Sequence, residues 1–219
     1  LDKGQSYVLV APINNTVVQR MGWLGAEITS TNDIVVTVGS IYMQGNGDVN
    51  RDIAFDQLVP VDRLGKEYII MQGNGRRAYE KVVVVATKPN TEIYVNGSTT
   101  RVTTLLNPGD YSILEGATYF VLPTGQTNFF GSMHVNTSED AYVFHKVFGR
   151  DVVTTPSFMF IPPISCNGQI SIDLIPSANT IGSTLYGSSV LSVLARKGEV
   201  FAPTVTSNGN PVVLLRSDA

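Results

Sequence analysis

The chain has 219 residues, of which 43% are apolar and 15% charged, with a formal net charge of -3. The apolar share is enough for a packed core, and charge lies well below the roughly 25% of an average soluble protein, so the composition excludes intrinsic disorder. No Lys/Arg run exceeds two residues, which excludes a phosphate-tracking stripe for nucleic acid, and no apolar stretch is long enough for a membrane-spanning helix. The opening LDKGQSYVLV lacks a basic segment followed by an apolar one, so no signal peptide is read there.

In chain order, IVVTVGSIYM (34–43), YEKVVVVATK (79–88), TEIYVNG (91–97), EDAYVFHKVF (139–148) and PVVLLR (211–216) are rich in β-branched and aromatic residues. Their period is two rather than 3.6, and Gly, Pro, Asn and Ser bound them, so they read as strands. Asn-Gly occurs at 46, 74, 96, 167 and 208, a dipeptide that tolerates the positive φ of tight hairpin turns. The pentapeptide MQGNG, at 43–47 and again at 71–75, reads as two hairpin tips. The best helical segment, Asp52 to Leu58, is short. The chain is read as all-β.

An internal repeat organises these strands. Leu106-Asn107-Pro108-Gly109, followed by Tyr111, matches Leu1-Asp2-Lys3-Gly4, followed by Tyr7. The stretch from Val135 to Val143 matches that from Ile28 to Val36 with a slip of two residues. Asn90 to Gly109 and Asn179 to Gly198 span the same separation. One unit then reads as an apolar strand, an Asn-Thr turn, a strand, a Leu-x-x-Gly turn, a strand, and a Thr/Ser-rich turn into a Val-rich strand. The division expected is a partial first repeat with a connector (1–81), a complete second repeat (82–149), and a connector with a shortened third repeat (150–219), in a fragment of a longer protein. The architecture expected is antiparallel β-sandwich-like units, with a propeller- or prism-like arrangement as the alternative.

Two sites are legible. From Asp48, side-chain oxygens recur at Asn50, Asp52 and Asp56, the alternation of a calcium loop in which hard oxygens converge when the chain curls. Ile53 stands where such a loop needs glycine and Val59 where it needs a bidentate Glu, so the other reading is a polar hairpin loop leading into a turn of helix. Arg76 and Arg77 follow an Asn-Gly tip and precede Tyr79, a grouping suited to carboxylates, sulfates or sugar faces. Catalysis finds no support. G-x-S-x-G and HExxH are absent, and no spacing among Asp62, Glu67, Asp110 and Glu115 selects a hydrolytic carboxylate pair. His134 and His145 lie in strand patterns, His145 on the solvent side because it alternates with Tyr142 and Phe144. The one cysteine, Cys166, reads as a buried or half-buried thiol that neither pairs nor joins a zinc site. Asn14, Asn96 and Asn136 open N-x-S/T sequons, which matter only in a eukaryotic secretory pathway.

Residues 56–68, DQLVPVDRLGKEY, resemble the "Q-L-x-P-x-x-x-x-G-x-E-Y" signature of the IgGFc-binding protein N-terminal domain family. ATKPNTEIYVNG (86–97), LNPGDYSIL (106–114), TSTNDIVVTVGS (29–40) and FMFIPPI (158–164) are similar to further stretches of that family in the same order, with Asp33 where proline is common. The resemblance implies a non-catalytic extracellular binding or adhesion module, secreted or at the cell surface. It implies a glycan or a cell-surface or mucus protein as partner, together with other domains of the same larger protein. The single cysteine tilts the source toward bacteria, because animal extracellular modules usually use disulfides. No metal or organic cofactor is expected beyond the calcium loop. A structural spacer or filament subunit, with end-to-end contacts, is the alternative function. A third reading, an accessory domain of a carbohydrate-active enzyme, needs a sugar-stacking face resting on tyrosines, because Trp23 is the sole tryptophan.

Overall fold

A computed structural model describes residues 5–11, 23, 25–44, 51–73, 79–115, 118–119, 131–147, 157–167, 206–207 and 210–211. The strands are β1 (Thr37–Gln44), β2 (Arg51–Gln57), β3 (Gly65–Met71), β4 (Lys81–Ala86), β5 (Thr91–Val95), β6 (Thr103–Leu105), β7 (Tyr111–Leu114), β8 (Ser132–Val147), β9 (Ser157–Phe160), β10 (Thr206–Ser207) and β11 (Asn210–Pro211). A 3₁₀ turn (Val61–Arg63) precedes β3, and a one-turn helix, α1 (Ile164–Asn167), follows β9. Every recorded strand pair is antiparallel, as expected of antiparallel β units. Third-repeat residues other than 206–207 and 210–211 lie outside the described residues.

β8 is the spine. Its first half pairs with β3 on one side and β5 on the other, and its second half pairs with β4 and β9. β6 and β7 then extend the sheet beyond β5 and β4. A straight strand of this length would span roughly 50 Å. Yet β3 ends with Met71 opposite Ser132, and two residues on, a Cβ at Gly73 would meet Val147 Cγ1 at 2.7 Å. The two ends of β8 therefore return to the same place, and the sheet curls into a nearly closed barrel. Its inner face is one core: Tyr68 and Ile70 of β3, Val82 and Val84 of β4, Ile93 and Val95 of β5, Leu105, Leu114, and Met133, Val135, Ala141 and Val143 of β8. The two-residue period of the sequence is the period of this face.

The turns show why these residues stand where they do. Asn90 and Asn96 take positive φ (58° and 54°), which asparagine tolerates better than most residues. Gly109 (φ 85°) ends the Leu-x-x-Gly turn and donates its N–H to Ala86 O at 2.8 Å. Asp110 Oδ2 accepts from the Asn107 backbone N–H at 2.8 Å, closing the same turn. Gly109 also touches Gly25, itself at φ 77°, backbone to backbone. Tyr68 anchors the corner of the barrel: its hydroxyl lies 2.5 Å from both Gly65 O and Ala141 O and accepts from Gly65 N at 3.1 Å.

Several expectations are corrected. Asp52 to Leu58 is not helical: residues 51–57 form β2, drawn into extended form by pairing with β1, with Ala54 turned inward. The first MQGNG does lie at the β1–β2 connection, but the second is no hairpin tip. β3 and β4 both run antiparallel to β8 on its opposite sides, so they run parallel to each other and cannot be hairpin neighbours. The Thr/Ser-rich stretch at 137–139 is not a turn but the middle of β8, where Thr137 is buried opposite Ile93 and its hydroxyl donates to Lys66 O. Cys166 is exposed, its Sγ 3.3 Å from Arg63 O, because α1 lies at the rim of the barrel rather than in its core.

Two predictions follow from the barrel's corners. Tyr68→Phe removes the buried hydroxyl that links the Gly65 and Ala141 backbone and should cost about 1–3 kcal/mol in denaturant unfolding. Burial pushes the Tyr68 phenol up to about 12. A folded value above the unfolded one gives stability that is complete below about pH 10 and lost as pH rises toward 12, so the wild type should lose stability across that window and Tyr68→Phe should lose less of it. Gly109→Ala places a Cβ at positive φ and 2.8 Å from Gly25 O, and should cost about 1–3 kcal/mol in the same measurement.

Candidate functional site

The sequence candidates separate in the structure. Asp48, Asn50, Arg76 and Arg77 lie outside the described residues. Asp52 and Asp56 lie on extended β2, four residues apart and so roughly 13 Å along the strand. Asp56 is occupied within the fold: Oδ1 accepts from Gln57 N at 2.8 Å, and Oδ2 accepts from Phe160 N, tying β2 to β9. Among the described residues no group of three or more His, Cys, Asp or Glu side chains could hold a metal ion. Tyr79 is half-buried at the mouth of β4, next to Glu80.

Glu80 belongs to a polar cluster that the sequence reading missed. It is fully buried, with His145 2% and Tyr119 3% exposed. His145 Nε2 lies 2.7 Å from the Tyr119 hydroxyl and 3.3 Å from Glu80 Oε2, which also accepts from Gly73 N at 2.9 Å. Glu80 thus ties together both ends of the chain that carries Arg76 and Arg77. Burial, with the Glu80 charge added, pushes the Tyr119 phenol far up. Burial, with Lys81 beside it, lowers the neighbouring Lys146 ammonium. The solvent-side reading of His145 is corrected. His145 continues the inward phase of Ala141 and Val143, while Tyr142 and Phe144 occupy the other face. That outer side is covered too: Phe144 stacks on Phe158 at 4.8 Å, and the Tyr142 hydroxyl donates to Val59 O.

The accessible side chains lie on the outer face of the first half of β8. Glu67 and Tyr94 sit directly opposite Asn136, one on each side. Glu67 Oε1 lies 3.0 Å from His134 Nε2. The Tyr94 hydroxyl donates to Glu92 Oε2 at 2.6 Å, and Arg101 Nη1 donates to Glu92 Oε1 at 2.8 Å. These two bonds, Tyr94 first, hold the Glu92 carboxyl below its ordinary value, while the bond to Glu92, with some burial, raises the Tyr94 phenol. Of the other acids considered for hydrolysis, Asp110 closes a turn and Glu115 pairs with Lys81.

The buried cluster makes a stability prediction. Glu80→Ala leaves the Gly73 N–H without its acceptor and takes the carboxylate from beside His145, and should cost about 2–4 kcal/mol in denaturant unfolding, with Glu80→Gln costing less. A change below about 0.5 kcal/mol for Glu80→Ala would contradict the cluster as described.

The family motifs fall at the points that build this scaffold. Gly65 packs so tightly on Pro163 that a Cβ there would lie 2.7 Å from the proline Cβ, joining the G-x-E-Y and P-P stretches in space. A family model described as IgGFc binding protein matches residues 1–216. No curated protein and no solved structure matches the chain. The family is one of binding modules, is not known for catalysis and points to an extracellular setting, and no helix among the described residues is long and apolar enough to cross a membrane. With nearly its whole length matched and the quoted motifs holding the barrel together, the chain belongs to the IgGFc-binding protein family.

Proposed function

We propose that the chain is a non-catalytic recognition module of a secreted or cell-surface protein, holding a glycan or another surface protein in adhesion. The family match over residues 1–216 carries this reading. The architecture supports it: a rigid curled sheet leaves loops and one polar face open, which is where binding residues are carried on β scaffolds. In this reading Arg76, Arg77 and Tyr79 contribute contacts from the connection before β4, whose two ends Glu80 ties together.

One observation favours the structural spacer as a second reading. Tyr7, Val8, Leu9 and Val10 are all exposed, between 66% and 82%, in a segment assigned to no strand. Four consecutive exposed apolar residues suit an end-to-end contact between modules.

The test is surface binding of the purified chain to immobilised glycans, mucin, antibody Fc and whole cells, in calcium and in chelator. The recognition reading expects a saturable response to at least one surface, weakened about tenfold or more when Arg76 and Arg77 are both changed to Ala. Loss of signal in chelator would bring Asp48, Asn50 and Asp52 into the site, Asp56 being held within the fold. A flat response across the panel, with concentration-dependent self-association abolished by Val8→Asp, would instead establish the spacer.

A further inference from the structure

The open face of β8 has a construction that the fold itself does not demand. Glu67, Asn136 and Tyr94 form one cross-strand row. Directly opposed residues hold their Cβ atoms about 5 Å apart, so the row spans roughly 10 Å. Both ends are fixed: His134 holds Glu67, while Glu92, itself held by Arg101, fixes the Tyr94 hydroxyl. Between them Asn136 is exposed, and its side-chain amide makes no hydrogen bond among the described residues.

We propose that this row is a saccharide-binding face, taking an uncharged stretch of glycan about two sugar units long; the proposal rests on the recognition reading above. The chemistry selects this occupant. Sugar hydroxyls are both donors and acceptors, and the row offers carboxylate acceptors, an amide that does both, and a phenol ring for the C–H face of a pyranose. The groups are held in place before binding, so little rotamer freedom is lost when a weakly apolar ligand docks. A protein partner would need buried aromatic or aliphatic anchors, and Tyr94 is the only aromatic residue in the row. Two carboxylates oppose a phosphate-rich or acidic ligand, and Glu92 is already matched by Arg101.

The 219-residue chain would be titrated with free lactose, cellobiose and chitobiose by NMR, alongside Tyr94→Ala, Tyr94→Phe and Asn136→Ala. The expected result is saturable binding of at least one disaccharide, with shifts confined to residues 67, 92–96, 101 and 134–138. Tyr94→Ala and Asn136→Ala should each weaken it tenfold or more, and Tyr94→Phe less, with thermal unfolding of the variants unchanged. Shift mapping on the wild type decides the matter even if a variant fails to fold. Disaccharide binding whose shifts fall elsewhere, and which survives both alanine changes, overturns the face while leaving the recognition module standing. Binding to mucin or cells without binding to any disaccharide overturns the saccharide and again leaves the module. Failure to bind on either panel sinks both.

Discussion

The barrel depends on the backbone pairing of β8. One strand hydrogen-bonds to β3, β4, β5 and β9, and only its curl brings the inner faces of its two halves together around one core. Parallel or flat arrangements of the same residues would leave Val82, Ile93, Met133 and Val143 on a surface too wide to bury. The curl explains features that look unrelated in the sequence. At the corner the Tyr68 hydroxyl sits between the carbonyls of Gly65 and Ala141, residues that the register sets opposite each other. Gly73 must be glycine because the returning end of β8 and the Glu80 carboxylate fill the space a side chain would take.

The same curl divides the polar residues into two kinds. Those whose phase points inward, Glu80, His145 and Tyr119, are sealed from solvent and satisfy one another, so they fix the geometry of the barrel rather than meet a ligand. Those whose phase points outward on the first half of β8 stay open and are held by neighbours on the same face. On the second half the outward Tyr142 and Phe144 are engaged, Phe144 stacking on Phe158 of neighbouring β9 and the Tyr142 hydroxyl donating to Val59 O. An open polar surface is therefore left on one half of one face.

Much of this was legible in the sequence. The two-residue period, the Asn and Gly turns and the order of the family motifs identified β1, β4, β5, the second half of β8 and the class. Local pattern failed where long-range pairing decided the outcome. Asp52 to Leu58 has no strong preference of its own and became a strand only through β1. Thr137 and Ser138 look like turn residues, but a buried site opposite Ile93 carries the strand through them. The buried cluster could have been found: His145 is in phase with Ala141 and Val143, and Glu80 with Val82 and Val84, so a strict count of the period places both inside. The row of Glu67, Asn136 and Tyr94 could not, because its members come from three strands whose register only the folded chain reveals.

The most direct test of the account is hydrogen-exchange footprinting of the full chain with and without a saturating surface glycoprotein such as mucin. The account predicts added protection on β5, β3 and the first half of β8, extending to the chain between Gly73 and Glu80. Protection confined to residues 7–10, or none at saturation, would contradict it.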